Sequence, residues 1–264
     1  MMLEGNLLKM KSEAGNPVQY SLPVGSSLLP LNPLLGKKLT LEFNGQINCI
    51  GCGKLTKTSF SQGYCYNCLQ TAPETSESVM RPELSKAHLG IARDMAWAEE
   101  HDLIDHIVYL AASSDLKVGV TRHHQIPVRW IDQGASSAIA IAITPNRHIA
   151  GVMEVWLKQF YTDKTNWREM LQNKLIEVDL LVERDKALDL LTPELLKYAA
   201  YQIPPHTLEY PVVDYPQKVT SLSFDKSSII EGVLKGIKGQ YLIFDDGQVL
   251  NVRKHNGYFV KVEY

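Results

Sequence analysis

Residues 106–121 read HIVYLAASSDLKVGVT, and this stretch decides the centre of the predicted fold. The apolar run His106–Ala111 predicts one strand, residues 113–115 predict a turn, and Leu116–Thr121 predicts a second strand. Successive side chains of a strand point to opposite faces. One face of the second strand therefore carries Lys117, Gly119 and Thr121.

Helical segments lie on both sides of this hairpin in the sequence. Pro82 fits the first turn of a helix, and the apolar pattern extends that helix to about Leu103. Asn146 can cap another helix, which the pattern extends to about Tyr161. The other predicted elements are a short helix over 126–133, a strand over 138–144, and helices that begin near Asn166 and at Thr192.

Both ends of the chain have the pattern of β structure. Residues 37–43 alternate apolar and polar side chains, and Asn44-Gly45 is a hairpin turn signal. Near the C-terminus, four short apolar runs are separated by tight-turn signals, a spacing that is typical of a small barrel. These runs are 229–234, 240–244, 249–253 and 258–262.

The four cysteines of the chain form two Cys-x-x-Cys pairs. Cys49 and Cys52 are separated by 12 residues from Cys65 and Cys68. Two such turns can place four thiolates around one Zn²⁺ at about 2.3 Å. Because no cysteine is left over, the spacing predicts a closed, structural zinc site of the zinc-ribbon kind. Four buried free thiols or a redox pair are the alternatives.

Together these patterns predict an α+β protein with three domains. Residues 1–80 form an N-terminal β region with the zinc ribbon. Residues 81–204 form an αβ core with three strands and flanking helices. Residues 205–264 form a small, β-barrel-like C-terminal module.

Composition excludes several classes of protein. The chain has 264 residues, of which 45% are hydrophobic, so it can bury enough apolar surface to fold. Lys and Arg number 27 against 29 Asp and Glu, which argues against nucleic-acid binding by bulk positive charge but leaves a local basic groove open. We expect no membrane partner and a cytoplasmic protein, because no apolar run approaches about 20 residues and residues 1–6 lack a signal-peptide pattern.

The order of residues in the central module resembles the GIY-YIG endonuclease superfamily. Ile107-Val108-Tyr109 matches the end of that family's first strand, and residues 117–121, KVGVT, match its second. Arg129, Glu154 and Asn166 then follow in the family's order. The resemblance implies a GIY-YIG-like core of three strands with helices.

The resemblance also implies hydrolysis of phosphodiester bonds in DNA or RNA. It implies that Tyr109 activates or orients water, that Glu154 binds one Mg²⁺ or Mn²⁺, and that Arg129 stabilises charge on the phosphate. Lys117 stands where the family has its second tyrosine, and an ammonium there can bind oxyanions as a point charge. The candidate catalytic residues are Tyr109, Lys117, Thr121, Arg129, Glu154 and Asn166.

Two classes of function remain open at this point. One is a metal-dependent endonuclease. The other is a non-catalytic, zinc-containing scaffold that binds nucleic acid or protein and in which Glu154 only projects from the polar side of an amphipathic helix. Arg122, His123 and His124 are either added phosphate contacts or a solvated turn. A divalent cation at Glu154 favours the enzyme, and pairing of Glu154 with Lys or Arg alone favours the scaffold.

The whole chain is also similar to an uncharacterised bacterial family. That family has an N-terminal four-cysteine motif and the phrase RWIDQGA, which stands here at residues 129–135. This second resemblance carries no implied activity.

Overall fold

The computed structural model describes residues 1–264 and separates into two compact units. Unit 1 consists of residues 1–70, 131–134 and 208–264, and unit 2 consists of residues 71–130 and 135–207. Each unit has its own hydrophobic core. The structure is therefore a mixed α+β fold with several sheets, as the sequence predicts.

The strands are β1 (Met2–Asn6), β2 (Lys11–Glu13), β3 (Gln19–Val24), β4 (Ser27–Pro30), β5 (Lys38–Asn48), β6 (Leu55–Thr56), β7 (His106–Ala112), β8 (Leu116–Arg122), β9 (Ser137–Thr144), β10 (His206–Thr207), β11 (Thr220–Leu222), β12 (Ile229–Lys238), β13 (Tyr241–Phe244), β14 (Gln248–Asn251) and β15 (Tyr258–Glu263). The α-helices are α1 (Tyr66–Thr71), α2 (Glu77–Met80), α3 (Met95–His101), α4 (Val128–Asp132), α5 (Arg147–Leu157), α6 (Trp167–Leu171), α7 (Leu180–Asp189) and α8 (Pro193–Leu196). Short 3₁₀ helices span Asn32–Leu34, Pro73–Thr75, Pro82–Leu84, Ala87–Leu89, His123–Gln125, Asp245–Gly247 and Val252–His255.

The main sheet of unit 1 is open. Its strands follow the order β1-β15-β5-β12-β13-β14-β11, and β6 pairs with the end of β5. All neighbours are antiparallel except β11 and β14, which are parallel. Because β1 and β11 at the two ends of this order do not pair, the C-terminal strands form no closed barrel, which corrects the barrel-like prediction.

The N-terminal and C-terminal β segments form one sheet. β5 buries Leu39 and Leu41, and it pairs with β12 along one edge and with β15 along the other. The structure thus groups residues 1–70 with residues 208–264, whereas the sequence pattern places them in separate domains. A periodic pattern indicates that a segment is a strand, but it does not say which distant strand satisfies the open hydrogen bonds along its edges.

Unit 2 is built on a four-stranded antiparallel sheet of order β10-β9-β7-β8. All seven residues of the central strand β7 are buried. The core lies on the face that carries Val108 and Leu110, where Ala150 and Met153 of α5 pack against them. Asn146 caps α5 as predicted, because its side chain accepts a hydrogen bond from the Ile149 N–H at 3.0 Å.

The single helix predicted from Pro82 to about Leu103 is wrong. The segment contains two 3₁₀ turns and then the separate helix α3. Gly90, at φ +74°, ends the second turn in a left-handed conformation, and Asp94 starts α3 by accepting a hydrogen bond from the Trp97 N–H at 3.0 Å. A stop residue and a new cap inside the segment interrupt the apolar periodicity on which the prediction rested.

None of the helices is both long enough and apolar enough to cross a bilayer. The longest, α5, has 11 residues, whereas a membrane-spanning helix needs about 20.

Candidate metal centre and cationic sheet edge

The four cysteines are brought together by two turns of unit 1. The first turn follows β5, where the Cys49 N–H donates to the Lys54 carbonyl and the Gly53 N–H donates to the Cys49 carbonyl. Gly53 has φ +73°, a conformation that glycine adopts without strain. The second turn leads into α1, the short helix that carries Cys68. β6 pairs back on β5 between the two turns over two residues, Leu55 and Thr56.

The sulfur geometry suits one tetrahedral metal ion. All four Sγ atoms lie within 4.8 Å of one another, and Cys52 and Cys65 are 3.9 Å apart. A tetrahedron with metal–sulfur bonds of about 2.3 Å has sulfur–sulfur edges of about 3.8 Å. The structure therefore confirms that the four cysteines form one cluster that could hold a metal ion, and the donor set is consistent with zinc.

The electrostatics of this cluster fit the same conclusion. Burial opposes ionisation of Cys49, but backbone N–H donors of Cys65, Cys52 and Gly51 outweigh it and lower the pKa of Cys49 to about 6. The Cys65 N–H lies 3.2 Å from the Cys49 sulfur. Hydrogen bonding with Cys52 and burial raise the pKa of Cys68 to about 12. Thiols this close cannot all ionise unless a cation neutralises them, and a coordinated metal does so.

The predicted residues of the central hairpin lie on one face of the unit 2 sheet. Tyr109 on β7 is the cross-strand partner of Gly119 on β8, and Thr121 is paired with Ile107. Tyr109 is fully buried, and its ring meets the ring of Trp130 edge-on at 5.9 Å. A Cβ atom at Gly119 would lie only 2.6 Å from the Tyr109 hydroxyl oxygen. The absence of a side chain at Gly119 therefore makes room for the tyrosine.

Lys117 is a buried cation on this face, with 7% of its surface exposed. Its ammonium makes no ion pair and no side-chain hydrogen bond. Burial, and then the positive charge of Arg129, lower the pKa of Lys117 to about 8, while Asp163 acts in the opposite direction. Arg129 on α4 is half-buried and also has no hydrogen-bonding or ion-pair partner. Two neighbouring cations that form no ion pair are a potential anion-binding site.

Arg122 is another cation of β8, and strand alternation points it to the face opposite to Lys117, because the two are five residues apart. It lies at the end of the strand, is half-buried, and makes no ion pair or side-chain hydrogen bond. His123 and His124 follow in the next 3₁₀ turn, also without side-chain hydrogen bonds. Burial and the charges of Arg122, His101 and His123 lower the pKa of His124. We refer to Lys117, Arg122 and Arg129 as the β8 cations.

Comparison with known proteins places the chain in a family. The sequence model of a family described as "Protein of unknown function (DUF2797)" matches residues 36–260, which is most of the chain. The chain belongs to the DUF2797 family. No curated protein and no solved structure matches it. The DUF2797 match includes all four cysteines and all three β8 cations.

In this DUF2797 protein, Glu154 lies apart from the Tyr109 face. It is on α5, which packs against the opposite face of the sheet. Glu154 is buried, and its Oε2 lies 3.5 Å from the Lys158 ammonium but makes no hydrogen bond. Burial raises the pKa of Glu154, and Lys158 partly offsets that effect. Apart from the four cysteines, no group of three metal-ligating side chains is present in the chain.

The other two predicted site residues have local roles. The Asn166 side chain caps α6 by accepting hydrogen bonds from the N–H groups of Arg168 and Glu169. Thr121 is buried and donates from its Oγ1 to the Gln125 side chain at 3.3 Å. The structure thus brings Tyr109 and Thr121 to one sheet face but leaves Asn166 at a helix terminus.

Sequence reasoning missed Asp163. Its carboxylate lies 3.7 Å from the Lys158 ammonium, and its charge raises the pKa of both Lys117 and Glu154. Asp163 therefore interacts electrostatically with both Lys117 and Glu154. The spacing of four residues between Glu154 and Lys158 on a helix predicts that these two side chains interact. No local pattern in the sequence indicates that Asp163 also lies near Lys158.

Proposed function

We propose that unit 2 of this DUF2797 protein binds the phosphate backbone of nucleic acid through the β8 cations. The observation that carries the proposal is that Lys117 and Arg129 are close enough for the charge of Arg129 to lower the pKa of Lys117, and that neither forms an ion pair or a side-chain hydrogen bond; Asp163 offsets part of that effect at Lys117. A buried, unpaired ammonium is unfavourable, and a second cation beside it makes it more so. A phosphate group would relieve both effects at once.

The arrangement of the β8 cations favours a chain of phosphates over one small anion. Lys117 and Arg122 are five residues apart on an extended strand, which corresponds to about 16 Å. Successive phosphates of one strand of B-DNA are spaced at about 3.4 Å along the helix axis. Because five is an odd number, the two side chains point to opposite faces of the strand, so a chain of phosphates would have to pass around β8 to contact both. The small net charge of −2 for the chain is compatible with such a local binding site.

This proposal corresponds to the scaffold class of function. Glu154 has Lys158 as its ionic partner, and Tyr109 is fully buried, so its hydroxyl cannot meet a substrate without a rearrangement. Both observations favour binding over catalysis as the function of the β8 region. In this proposal the four-cysteine site holds zinc and stabilises the hairpin around it.

Salt-dependent binding tests the proposal. Fluorescence anisotropy would measure the affinity for labelled single-stranded DNA, duplex DNA and RNA over a series of salt concentrations. Each phosphate contact removed lowers the slope of log affinity against log salt by about 1. We expect this reduction for Lys117→Gln and for Arg129→Gln. Lys174→Gln is the matched control, because Lys174 is exposed and has no ion pair.

The same titration can overturn the proposal. If neither variant differs from Lys174→Gln in slope or affinity, the β8 cations do not contact phosphate. The preferred type of nucleic acid is an outcome of the experiment, since phosphate contacts alone do not distinguish DNA from RNA.

A second candidate function is hydrolysis of the bound nucleic acid with a divalent cation at Glu154. It is favoured by one specific observation, the buried Oε2 without a hydrogen bond. Mg²⁺ is commonly held by one or two carboxylates together with substrate phosphates, so one glutamate can suffice once nucleic acid is bound. In this candidate Arg129 stabilises the phosphate charge, and Tyr109 orients water after a rearrangement that exposes it and brings it to the face that carries Glu154.

Adding Mg²⁺ or Mn²⁺ to the preformed complex tests this candidate. We expect cleavage products that disappear in Glu154→Gln and persist in Glu99→Gln, a control at an exposed position on α3. Cleavage that survives in Glu154→Gln would remove the metal-binding role of Glu154. Binding without cleavage under all conditions would leave the scaffold function alone.

A further inference from the structure

The lobe that holds the four cysteines has a surface that neither of the proposals above uses. We define this zinc lobe as residues 46–70, which contain both cysteine turns, β6 and most of α1. Leu55 and Tyr66 on this lobe are 70% and 64% exposed. Burial of these two side chains therefore contributes little to the stability of the lobe, and a partner can reach them.

Tyr66 and Phe60 form an aromatic pair on the zinc lobe. Their ring centroids are 5.9 Å apart, and the two ring planes meet at 67°. Phe60 is half-buried, so this edge-to-face contact orients the Tyr66 ring while most of that ring stays in solvent. An oriented and exposed ring offers a stacking face to a planar group.

The charged side chains of the zinc lobe are both cationic. No Asp or Glu occurs between Glu42 and Glu74, where the only Lys or Arg residues are Lys54 and Lys57. Both lysines are exposed, and neither forms an ion pair or a side-chain hydrogen bond. Lys57 is three residues from Phe60, so their Cα atoms are at most about 11 Å apart.

A second basic segment of unit 1 contacts the lobe. The 3₁₀ turn Val252–His255 carries the half-buried Arg253 and the exposed Lys254. The next residue, Asn256, donates from its Nδ2 to the Gln62 carbonyl at 2.9 Å and so holds the turn against the lobe. The turn therefore adds two cations beside those of the lobe itself.

Negative charge near these cations limits how strongly they attract anions. Four thiolates leave a bound Zn²⁺ with two excess negative charges. Asp225 lies near His255 of the turn, and its carboxylate accepts hydrogen bonds from Ser223 and Tyr258. The cations outnumber these charges only slightly, so a contact other than charge attraction has to contribute to the affinity for a partner.

An exposed ring close to lysines suits single-stranded nucleic acid. Unpaired bases stack on aromatic side chains while the backbone lies near cations. The bases of a duplex are stacked on one another, so they cannot use the ring. An acidic protein segment would use the lysines but gains no stacking contact from Tyr66. The combination of ring and lysines therefore favours an unpaired strand.

We propose that the zinc lobe binds a single-stranded segment of nucleic acid, with one base stacked on Tyr66 and the adjoining phosphates near Lys54 and Lys57. The inference rests on the proposal that the chain binds nucleic acid, and it adds a second contact surface on unit 1. It also predicts a preference for unpaired strands, which phosphate contacts by the β8 cations do not provide.

The first test compares probes on the full, zinc-loaded chain. Fluorescence anisotropy would measure the affinity for oligo(dT), for an abasic deoxyribose-phosphate oligomer of the same length and charge, and for a duplex. We expect oligo(dT) to bind about 5- to 10-fold more tightly than the abasic oligomer, as is typical of one base–aromatic stacking contact. Because the protein is not altered, this comparison isolates the contribution of the bases.

Variants at Tyr66 locate the stacking contact. Tyr66→Leu should remove the preference for oligo(dT) over the abasic oligomer, whereas Tyr66→Phe, which keeps the ring, should retain it. Tyr201→Leu is the matched control, because Tyr201 is 57% exposed and belongs to unit 2. Elemental analysis checks that each variant keeps its zinc. Should Tyr66→Leu lose it, ultraviolet cross-linking of oligo(dT) to the parent protein decides instead, since the cross-linked peptide should contain Tyr66.

Lys57→Gln tests the phosphate contact of the lobe. For oligo(dT), the slope of log affinity against log salt should fall by about 0.7, the value for one phosphate contact on a single strand. Lys174→Gln is again the control, because Lys174 is exposed and has no ion pair. A slope equal to that of the control would overturn the phosphate part of the proposal.

The outcomes distinguish this inference from the proposed function. A Tyr66→Leu protein that keeps both its zinc and its preference for oligo(dT) would overturn the role of the zinc lobe, while Lys117→Gln and Arg129→Gln test the β8 cations separately. Equal affinity of the parent protein for oligo(dT) and the abasic oligomer would overturn base stacking. Competition by poly-glutamate that Lys57→Gln weakens and Tyr66→Leu does not would assign the lobe to an acidic protein instead. Absence of binding to any probe would overturn both proposals.

Discussion

The four cysteines and the β8 cations are both groups of chemically alike side chains, and they differ in shape. The cysteine sulfurs converge within 4.8 Å, so one divalent cation can neutralise them together. Lys117 and Arg122 are five residues apart on a strand, so a single small ion cannot reach both. The comparison teaches that the arrangement of such groups indicates the shape of the partner that completes them: a point for the cysteines and a chain for the cations.

The largest effect is expected from breaking the converging group. In Cys49→Ser, bound zinc should fall from one ion per chain to none. Hydrogen exchange across residues 46–70 should increase strongly, because structural zinc sites contribute on the order of 10 kcal/mol of binding free energy. Elemental analysis and hydrogen exchange measure the two effects. Thr58→Ala, an exposed change between the cysteine pairs, is the control. Normal zinc content in Cys49→Ser would contradict the assignment.

A smaller loss is expected from disturbing the sheet face that carries Lys117. In Gly119→Ala the new Cβ would lie 2.6 Å from the Tyr109 hydroxyl oxygen. We expect the free energy of unfolding, measured in urea, to fall by roughly 1–3 kcal/mol, as is usual for an overpacked core. A double-mutant cycle with Tyr109→Ala should reveal coupling between the two positions. Additive effects would mean that Tyr109 is not what limits position 119.

Removing the charge of Lys117 is expected to increase the stability of the protein. Lys117→Met should stabilise the nucleic-acid-free protein by roughly 1–3 kcal/mol, because it replaces a buried, unpaired charge by an apolar side chain of similar length. Urea denaturation measures the change, and Lys174→Met at an exposed site should have almost no effect. A destabilised Lys117→Met protein would show that the ammonium is satisfied in the folded state.

The smallest expected effect is a pH dependence of the difference in stability between Lys117→Met and the parent protein. The pKa of Lys117 is lowered to about 8 in the folded protein, whereas an unfolded lysine titrates near 10.4. Between these values the unfolded state binds more protons, so the contribution of Lys117 to stability rises with pH. The advantage of Lys117→Met over the parent should therefore shrink from pH 8 to pH 10. A constant difference over this range would exclude a lowered pKa.

Local signals in the sequence predicted many of the strands and helices, but they did not predict which distant segments these elements pack against or pair with. The hairpin of β7 and β8, the cap at Asn146 and the cysteine cluster depend on neighbours within a few residues, and each is present. The barrel-like module and the long helix from Pro82 failed for two reasons. The strands of the C-terminal segment pair with β5, and Gly90 and Asp94 interrupt the helix.

The candidate site was predictable to a similar degree. Alternation along β8 placed Lys117 and Gly119 on one face, and the structure agrees, since Gly119 pairs with Tyr109. The sequence did not indicate that Glu154 would lie on a helix packed against the opposite face, or that Asp163 would be close to both charges. These relations depend on how α5 and the segment after it cross the sheet, which no local periodicity encodes.

The sequence by itself determined the α+β class, the clustering of the four cysteines and the β7–β8 hairpin. The reason is that turn chemistry, thiol spacing and strand alternation act over short distances along the chain. Only the tertiary structure decided that residues 1–70 and 208–264 build one unit and that Lys117 and Arg129 form no ion pair. It also decided that Ser85 and Asp102, which are 17 residues apart, share a hydrogen bond. These features arise when distant segments pack and exclude water, and a side chain's charge and hydrogen bonds are then fixed by neighbours that the sequence does not place beside it.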